Sequence, residues 1–175
     1  MKVWGNITSA ATESAAAWVD VAPSYSVTLV AGDGQKTINV KFMDRAGNES
    51  VAPYASTSVE LDQTAPNATL ALYVADGSTA QPSHTPIAEF AAHISGGDDA
   101  LEGTAVDYKL YGDFTYGSQA AQGLTEDDAQ WTKLSYAEGQ QYMLIDKMFA
   151  TSGDGIKHIY LKVKDNAGNI SQAAV

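Results

Sequence analysis

The sequence predicts an all-β protein built as two tandem antiparallel β-sandwiches, the first lacking its opening strands and the second its closing strand. Three observations carry this prediction. Residues 32–50 (GDGQKTINVKFMDRAGNES) recur as residues 153–171 (GDGIKHIYLKVKDNAGNIS), with 11 identities over 19 positions and no gap. Self-similarity of this kind sets the architecture before any single residue has a role. Within each copy the apolar residues alternate: Ile38, Val40 and Phe42 in the first, Ile159, Leu161 and Val163 in the second. A period of two marks a strand with one buried face. Short alternating runs of this sort are separated about every ten residues by turn signals, the pattern of an antiparallel sandwich.

The first copy begins before the matching stretch. Lys2-Val3-Trp4-Gly5-Asn6-Ile7-Thr8 answers to Lys109-Leu110-Tyr111-Gly112-Asp113-Phe114-Thr115. Thr12-Glu13, followed by Trp18, answers to Thr125-Glu126, followed by Trp131. The spacing between matched blocks grows in the second copy, so the insertions fall in connections, where they cost little. A Thr followed by acids reads as the N-cap and first turn of a short helix, predicted at 12–18 and 125–131. Trp18 and Trp131 are expected to anchor that turn onto the sandwich. A strand with Tyr25, Val27 and Leu29 on one face should come next, with its counterpart around Tyr142 and Leu144.

Beyond Ser50 the first copy continues where the second stops. Residues 56–62 (STSVELD) read as a final strand with Val59 and Leu61 inward. Gln63-Thr64-Ala65-Pro66 then read as a linker, because Pro66 has no amide to donate and restrains the residue before it. Residues 68–74, with Leu70, Leu72 and Val74 on one face, open the second domain. A polar loop with Pro82 and Pro86 follows, and then a strand carrying Ala88, Phe90, Ala92 and Ile94 that ends at Gly96-Gly97-Asp98-Asp99. The domain plan is therefore 1–62 as a partial sandwich, 63–67 as a linker, and 68–175 as a second sandwich without its last strand.

These blocks together resemble a known family. K-[VL]-[WY]-G-[ND], then T-E with a later Trp, then GDG-x-K-x-I-x-[VL]-K-x-x-D-x-A-G-N-x-S, look like the immunoglobulin-like and fibronectin-III-like tandem repeats of bacteriophage virion proteins and bacterial surface proteins. The joint Leu61-Asp62-Gln63-Thr64-Ala65-Pro66 is similar to the connector between tandem domains in such arrays. The resemblance implies an immunoglobulin-like sandwich in a structural or adhesive setting. It names no molecular partner, because such folds serve as spacers, decorations and receptor binders alike.

Composition narrows the classes. An apolar content of 45% supports a core. The formal charge of −11 (10 Lys+Arg against 21 Asp+Glu) repels phosphate backbones and anionic membranes, so neither nucleic-acid binding nor membrane insertion is expected. Cys is absent, so nothing in the fold depends on a redox compartment. No apolar run approaches the roughly 20 residues needed to cross a bilayer as a helix. Met1-Lys2 leads into Val-Trp-Gly-Asn without an apolar h-region, so no signal peptide is read. The sequons at Asn6, Asn48, Asn67 and Asn169 read as by-products of Asn-, Ser- and Thr-rich turns.

Candidate chemistry is sparse, and each candidate has a plain structural reading beside it. The GDG triplets (Asp33, Asp154) and the D-x-x-G-N turns (Asp44 to Asn48, Asp165 to Asn169) place oxygen ligands at loop ends, where extracellular β-domains hold Ca²⁺. Turn chemistry explains the same residues and is preferred, since Gly takes positive φ and Asp or Asn bonds its own backbone. The acidic residues Asp98, Asp99, Glu102, Glu126, Asp127 and Asp128 read as solvated surface. Trp4 with Tyr111, and Trp18 with Trp131, could stack on sugar rings, but aromatics at equivalent places in a repeat are read as packing. His84, His93 and His158 are isolated, with His93 and His158 on the polar phase of their strands. No nucleophile elbow, H-E-x-x-H motif or Walker loop occurs.

No catalytic, cofactor-binding or metal residue is therefore assigned, and no cofactor is expected. The function expected is a non-catalytic structural or adhesive module of a phage particle, partnered by other virion subunits and, where it is adhesive, by host surface glycans. The alternatives are a stalk segment of a bacterial surface adhesin, partnered by other cell-surface subunits, and a glycan-binding accessory module of a secreted enzyme. The uneven copies add one more expectation. The first lacks counterparts of the strands at 68–74 and 88–94 and the second lacks one for 56–62, so the missing strands should come from outside residues 1–175 or from another subunit.

Overall fold

A computed structural model describes residues 1–74, 88–96, 107–116, 123–135 and 142–175. The described elements are ten β-strands and one short 3₁₀ turn, so the protein is all-β. The chain divides into two compact units, Met1–Gln63 and Thr64–Val175.

The first unit holds β1 (Lys2–Gly5), β2 (Gly34–Lys41) and β3 (Ala55–Leu61), hydrogen-bonded in the order β1-β2-β3. Both pairings are antiparallel, with Val3 opposite Val40 and Ile38 opposite Thr57. The second unit holds β4 (Ala68–Val74), β5 (Glu89–Gly96), β6 (Asp107–Gly112), β7 (Phe114–Tyr116), β8 (Thr132–Lys133), β9 (Met143–Ala150) and β10 (Ile159–Lys164). These form two antiparallel sheets, β4-β5-β9-β7 and β10-β6-β8.

The repeated sequence folds into repeated geometry. In the second unit Lys109 pairs with Lys162, Leu110 with Leu161 and Gly112 with Ile159. In the first unit Lys2 pairs with Lys41, Val3 with Val40 and Gly5 with Ile38, the same register at the matched residues. The inward alternation holds that register, because a one-residue slip would turn the lysines inward. The corner after each first strand is also reproduced. Asn6 Oδ1 accepts the Thr37 amide at 2.8 Å, and Asp113 Oδ2 accepts the His158 amide at 2.8 Å. Gly5 (φ 131) and Gly112 (φ 123) sit where a Cβ would meet the carbonyl oxygens of Thr37 and His158, so only glycine passes.

The core lies in the second unit. Phe90, Ala92 and Ile94 of β5, Ile145 and Met148 of β9, and Phe114 of β7 face Tyr108 and Leu110 of β6 and Ile159, Leu161 and Val163 of β10. Leu70 and Leu72 of β4 pack against the same cluster. This is two-layer packing, in which each sheet buries the apolar face of the other. Each large side chain so buried contributes roughly 1.5–3 kcal/mol against entropy losses of similar scale.

The first unit departs from expectation on that same face. Ile159, Leu161 and Val163 are buried, but Ile38 and Val40 are only half-buried and Phe42 is 44% exposed. Val59, expected inward on β3, is 50% exposed. The cause is the absence of a second layer, since the described residues of this unit form no second sheet. The strand expected around Tyr25, Val27 and Leu29 is not formed either; only Leu29 bridges, to Ile7. Its counterpart is β9, which begins just after Tyr142, contains Leu144 and runs on to Ala150, so that Phe114 pairs with Ala150 as Ile7 pairs with Leu29. In the second unit β9 is held on its other side by β5, and among the described residues the segment 22–29 has no such partner.

The predicted helical turns shrink to a 3₁₀ turn at Glu13–Ala15 and a hydrogen-bonded turn at 126–128. The Thr125 hydroxyl accepts the Asp128 amide as an N-cap, whereas Thr12 makes no such bond. The expected loop with Pro82 and Pro86, and the strand end at Gly97-Asp98-Asp99, lie outside the described residues.

Candidate functional site

The oxygen-rich turns come first, since they were the candidate cation sites. Asp44 Oδ1 accepts the amides of Ala46 and Asn48, and Asp44 Oδ2 accepts the Asn48 side-chain amide at 2.8 Å. These bonds hold the Asp44 carboxyl below its ordinary value, the Asn48 side chain most of all. Asp165 repeats the pattern with Gly168, Asn169 and the Asn169 side chain, and is 2% exposed. Asp33 Oδ1 accepts the Gln63 amide at 2.6 Å. Asp44 and Asp165 thus close their own turns, whereas Asp33 ties its turn to the segment after β3. Among the described residues no group of three acidic, His or Cys side chains could hold a metal ion.

A denser assembly sits on the outward face of each three-stranded sheet. In the first unit Lys41 Nζ lies 2.6 Å from Glu13 and 2.6 Å from Glu49, and 5.6 Å from the Tyr54 ring centre. Tyr54 meets Trp4 edge-on at 5.1 Å, and Trp4 is buried with Ala10 and Ala16. In the second unit Lys162 Nζ lies 2.6 Å from Glu126, and Tyr111 stacks on Tyr160 at 5.1 Å. Hydrogen bonds to these lysines hold the Glu13 and Glu126 carboxyls below the ordinary range, and the carboxylates push Lys41 and Lys162 up. Burial raises the Tyr111 phenol, and Glu126 beside it adds to the shift.

The two remaining tryptophans answer a question the sequence left open. Lys2 Nζ lies 5.3 Å from the Trp18 ring, while Lys109 and Lys164 lie 5.2 Å and 4.9 Å from Trp131. Each ring carries a cation of its own unit, a contact worth about 0.5–1 kcal/mol at an exposed site. Both rings are half-buried on the outward face, outside the core clusters. The ion pairs are long-range, with Lys162 and Glu126 separated by 36 positions. Their signal in the sequence was the coincidence of a repeated Glu and a repeated Lys, both identical between copies.

The histidines divide. His158 is exposed, its ring 6.2 Å from Tyr160. His93, expected as an exposed side chain, is half-buried between Tyr73 at 3.7 Å and Tyr142 at 3.8 Å, all three rings nearly parallel. Tyr142 comes from just before β9, so periodicity along β5 could not reveal the stack. His84, Asp98, Asp99 and Glu102 lie outside the described residues, and of the acidic set only Glu126, Asp127 and Asp128 are placed. Asp128 accepts from the Thr125 hydroxyl at 2.6 Å.

The inward face of β1-β2-β3 is partly open: Val40 and Phe42 stand at the places that Leu161 and Val163 occupy in the packed core, while Val3 and Lys36 on the same face are buried. No protein-family model, curated protein or solved structure matches this chain.

Proposed function

We propose that this chain is a non-catalytic structural or adhesive module of a bacteriophage particle, serving in a tail, fibre or capsid decoration to space or display surface domains. The fold it brings is a tandem immunoglobulin-like array. The observation that carries the reading is the duplication itself: two units built on one strand register, one corner hydrogen bond and one outward ion pair. Repetition of a rigid module is how a chain gains reach and multivalent display, whereas a catalytic centre needs one constellation that differs from its surroundings. The charged side chains placed here close turns or brace strands, and no cofactor or metal enters the reading.

The partners are other structural subunits of the particle, and the location is the virion. Immunogold labelling and mass spectrometry of purified particles, set against the envelope fraction of uninfected cells, test this. Detection in particles alone is expected. Detection in the envelope fraction alone would replace the reading with an adhesin stalk, and selective glycan-array binding by the 175-residue chain would replace it with an accessory carbohydrate-binding module.

A further inference from the structure

We propose that the inward face of β1-β2-β3, together with the edge of residues 24–29, is a docking site for an antiparallel β-hairpin of the β4–β5 kind. The argument is the second unit, which displays the same site filled. There β4 and β5 lie over β10, and β5 runs antiparallel to β9, with Phe90 opposite Met148 and Ile94 opposite Met143. Covered in this way, Leu161 and Val163 are 0% exposed.

The first unit reproduces the sheet that the hairpin covers and the anchoring of the segment beside it, and it lacks the hairpin. Its β2 matches β10 in register, and residues 22–29 match β9 without a gap back from the GDG turn. The anchoring of that segment is also conserved in geometry. Val30 donates to Asn6 at 3.0 Å as Thr151 donates to Asp113 at 3.0 Å. Thr8 donates to Thr28 at 2.9 Å on the side where β7 pairs β9. On the opposite side, among the described residues, no hydrogen bond joins the backbone of 20–27 to a strand. Val21 and Tyr25 are exposed, as are Phe42 and Val59. An extended segment with unpaired backbone beside an open apolar face is the geometry of strand addition.

The receiving surface states what the occupant must be. It is two antiparallel strands with apolar side chains at alternate positions, like Leu70 and Leu72 on one strand and Phe90, Ala92 and Ile94 on the other. The strand nearer 24–29 adds by main-chain hydrogen bonds, starting at Ser24 because Pro23 has no amide to give. The β4–β5 pair is engaged in its own unit, so the occupant is a like hairpin supplied by a partner subunit. This inference goes beyond the virion reading and does not depend on it.

The test is hydrogen exchange on the full 175-residue chain, alone and with a synthetic peptide of the sequence 66–97 as the hairpin probe. A second arm fuses that sequence ahead of Met1 through a flexible linker, which raises its effective concentration if the free peptide folds poorly. In the fusion, amides of 24–29 and of β2 should exchange at least about tenfold more slowly than in the chain alone, while β10 is unchanged. Phe42→Ser in the fusion, at a side chain already exposed, should reverse much of that protection without altering exchange in β10. Unchanged exchange at 24–29 in the fusion would overturn the proposal. So would a chain that sediments as a dimer on its own with 24–29 already protected, since a second copy would then be the occupant.

Discussion

Lys162 on β10 and Glu126 in the turn before β8 form an ion pair of 2.6 Å, and Lys41 and Glu13 form the same pair at 2.6 Å in the first unit. In each case the lysine comes from the strand that pairs with the first strand of the copy, and the glutamate from the turn that follows it. The pair fastens that turn to the outward face of the sheet. The lysine at the matching place on the paired strand, Lys109 or Lys2, reaches the backbone oxygen of the same glutamate at 3.2 Å and 3.5 Å.

The first prediction follows from the lowered carboxyls. Glu13 and Glu126 bind protons less tightly in the folded chain than their ordinary value of 4.5 implies. Their contribution is complete above that value and is lost as pH falls through the lowered folded value. Urea midpoints measured across the acid range should therefore fall below about pH 4.5. Glu13→Gln with Glu126→Gln should flatten that dependence and leave the curve at neutral pH only slightly lower. An unaltered acid slope would show that the pairs contribute nothing.

Gly112→Ala should destabilise the second unit by about 2 kcal/mol or more, from the positive-φ penalty and the clash with the His158 carbonyl. Gly168 also sits at positive φ (97, against 123 at Gly112), but no atom lies within 4 Å of the methyl that Gly168→Ala adds, so about 1 kcal/mol is expected there. Thermal unfolding of the two variants separates close approach from backbone strain. Equal losses would count against the close approach at Gly112.

Leu161→Ala should cost roughly 2–5 kcal/mol, because the side chain is fully enclosed by the second sheet. Phe42→Ala, at a matched inward position, should cost within about 1 kcal/mol. A Phe42→Ala loss as large as that of Leu161→Ala in denaturant unfolding would mean that the first unit is covered in solution.

Trp131→Ala tests the outward face. A core anchor would cost roughly 3 kcal/mol or more, but a half-buried ring between Lys109 and Lys164 should cost about 1–2 kcal/mol. Trp4→Ala removes a buried ring and should cost about 3–5 kcal/mol. Near-equal losses in calorimetry would return Trp131 to a packing role.

Calcium should not alter the chain. Asp44 and Asp165 already accept three hydrogen bonds each from their own turns. Equal melting temperatures with millimolar CaCl₂ and with chelator are expected. Asp165→Ala, which strands buried donors, should cost about 2 kcal/mol or more in either buffer. A calcium-dependent rise in melting temperature would reopen the turns as a cation site.

Much of the all-β architecture was legible from alternation and repetition. The strands at 68–74 and 88–94, the pairing strands around Val40 and Leu161, and the closing strand before the linker all lie close to their expected places. The turn residues were legible too, since Asp-x-x-Gly-Asn satisfies its own backbone with partners a few positions away. The outward ion pairs were missed, although both members are repeated identities. The stack of His93 between Tyr73 and Tyr142 left no trace in local sequence, because it joins three separate segments.

The sequence by itself determined which residues alternate, where the chain turns and which stretches are copies, because these depend on neighbours along the chain. Whether an alternating segment becomes a covered strand depends on what lies across from it, and only the tertiary structure decides that. Val163 and Phe42 occupy the same place in the same repeat. One is enclosed by β4 and β5, and the other is open because its unit forms no second layer. The same difference separates β9 from residues 22–29: both copies are built for pairing, but a strand is a hydrogen-bonded relationship and needs its partner to exist.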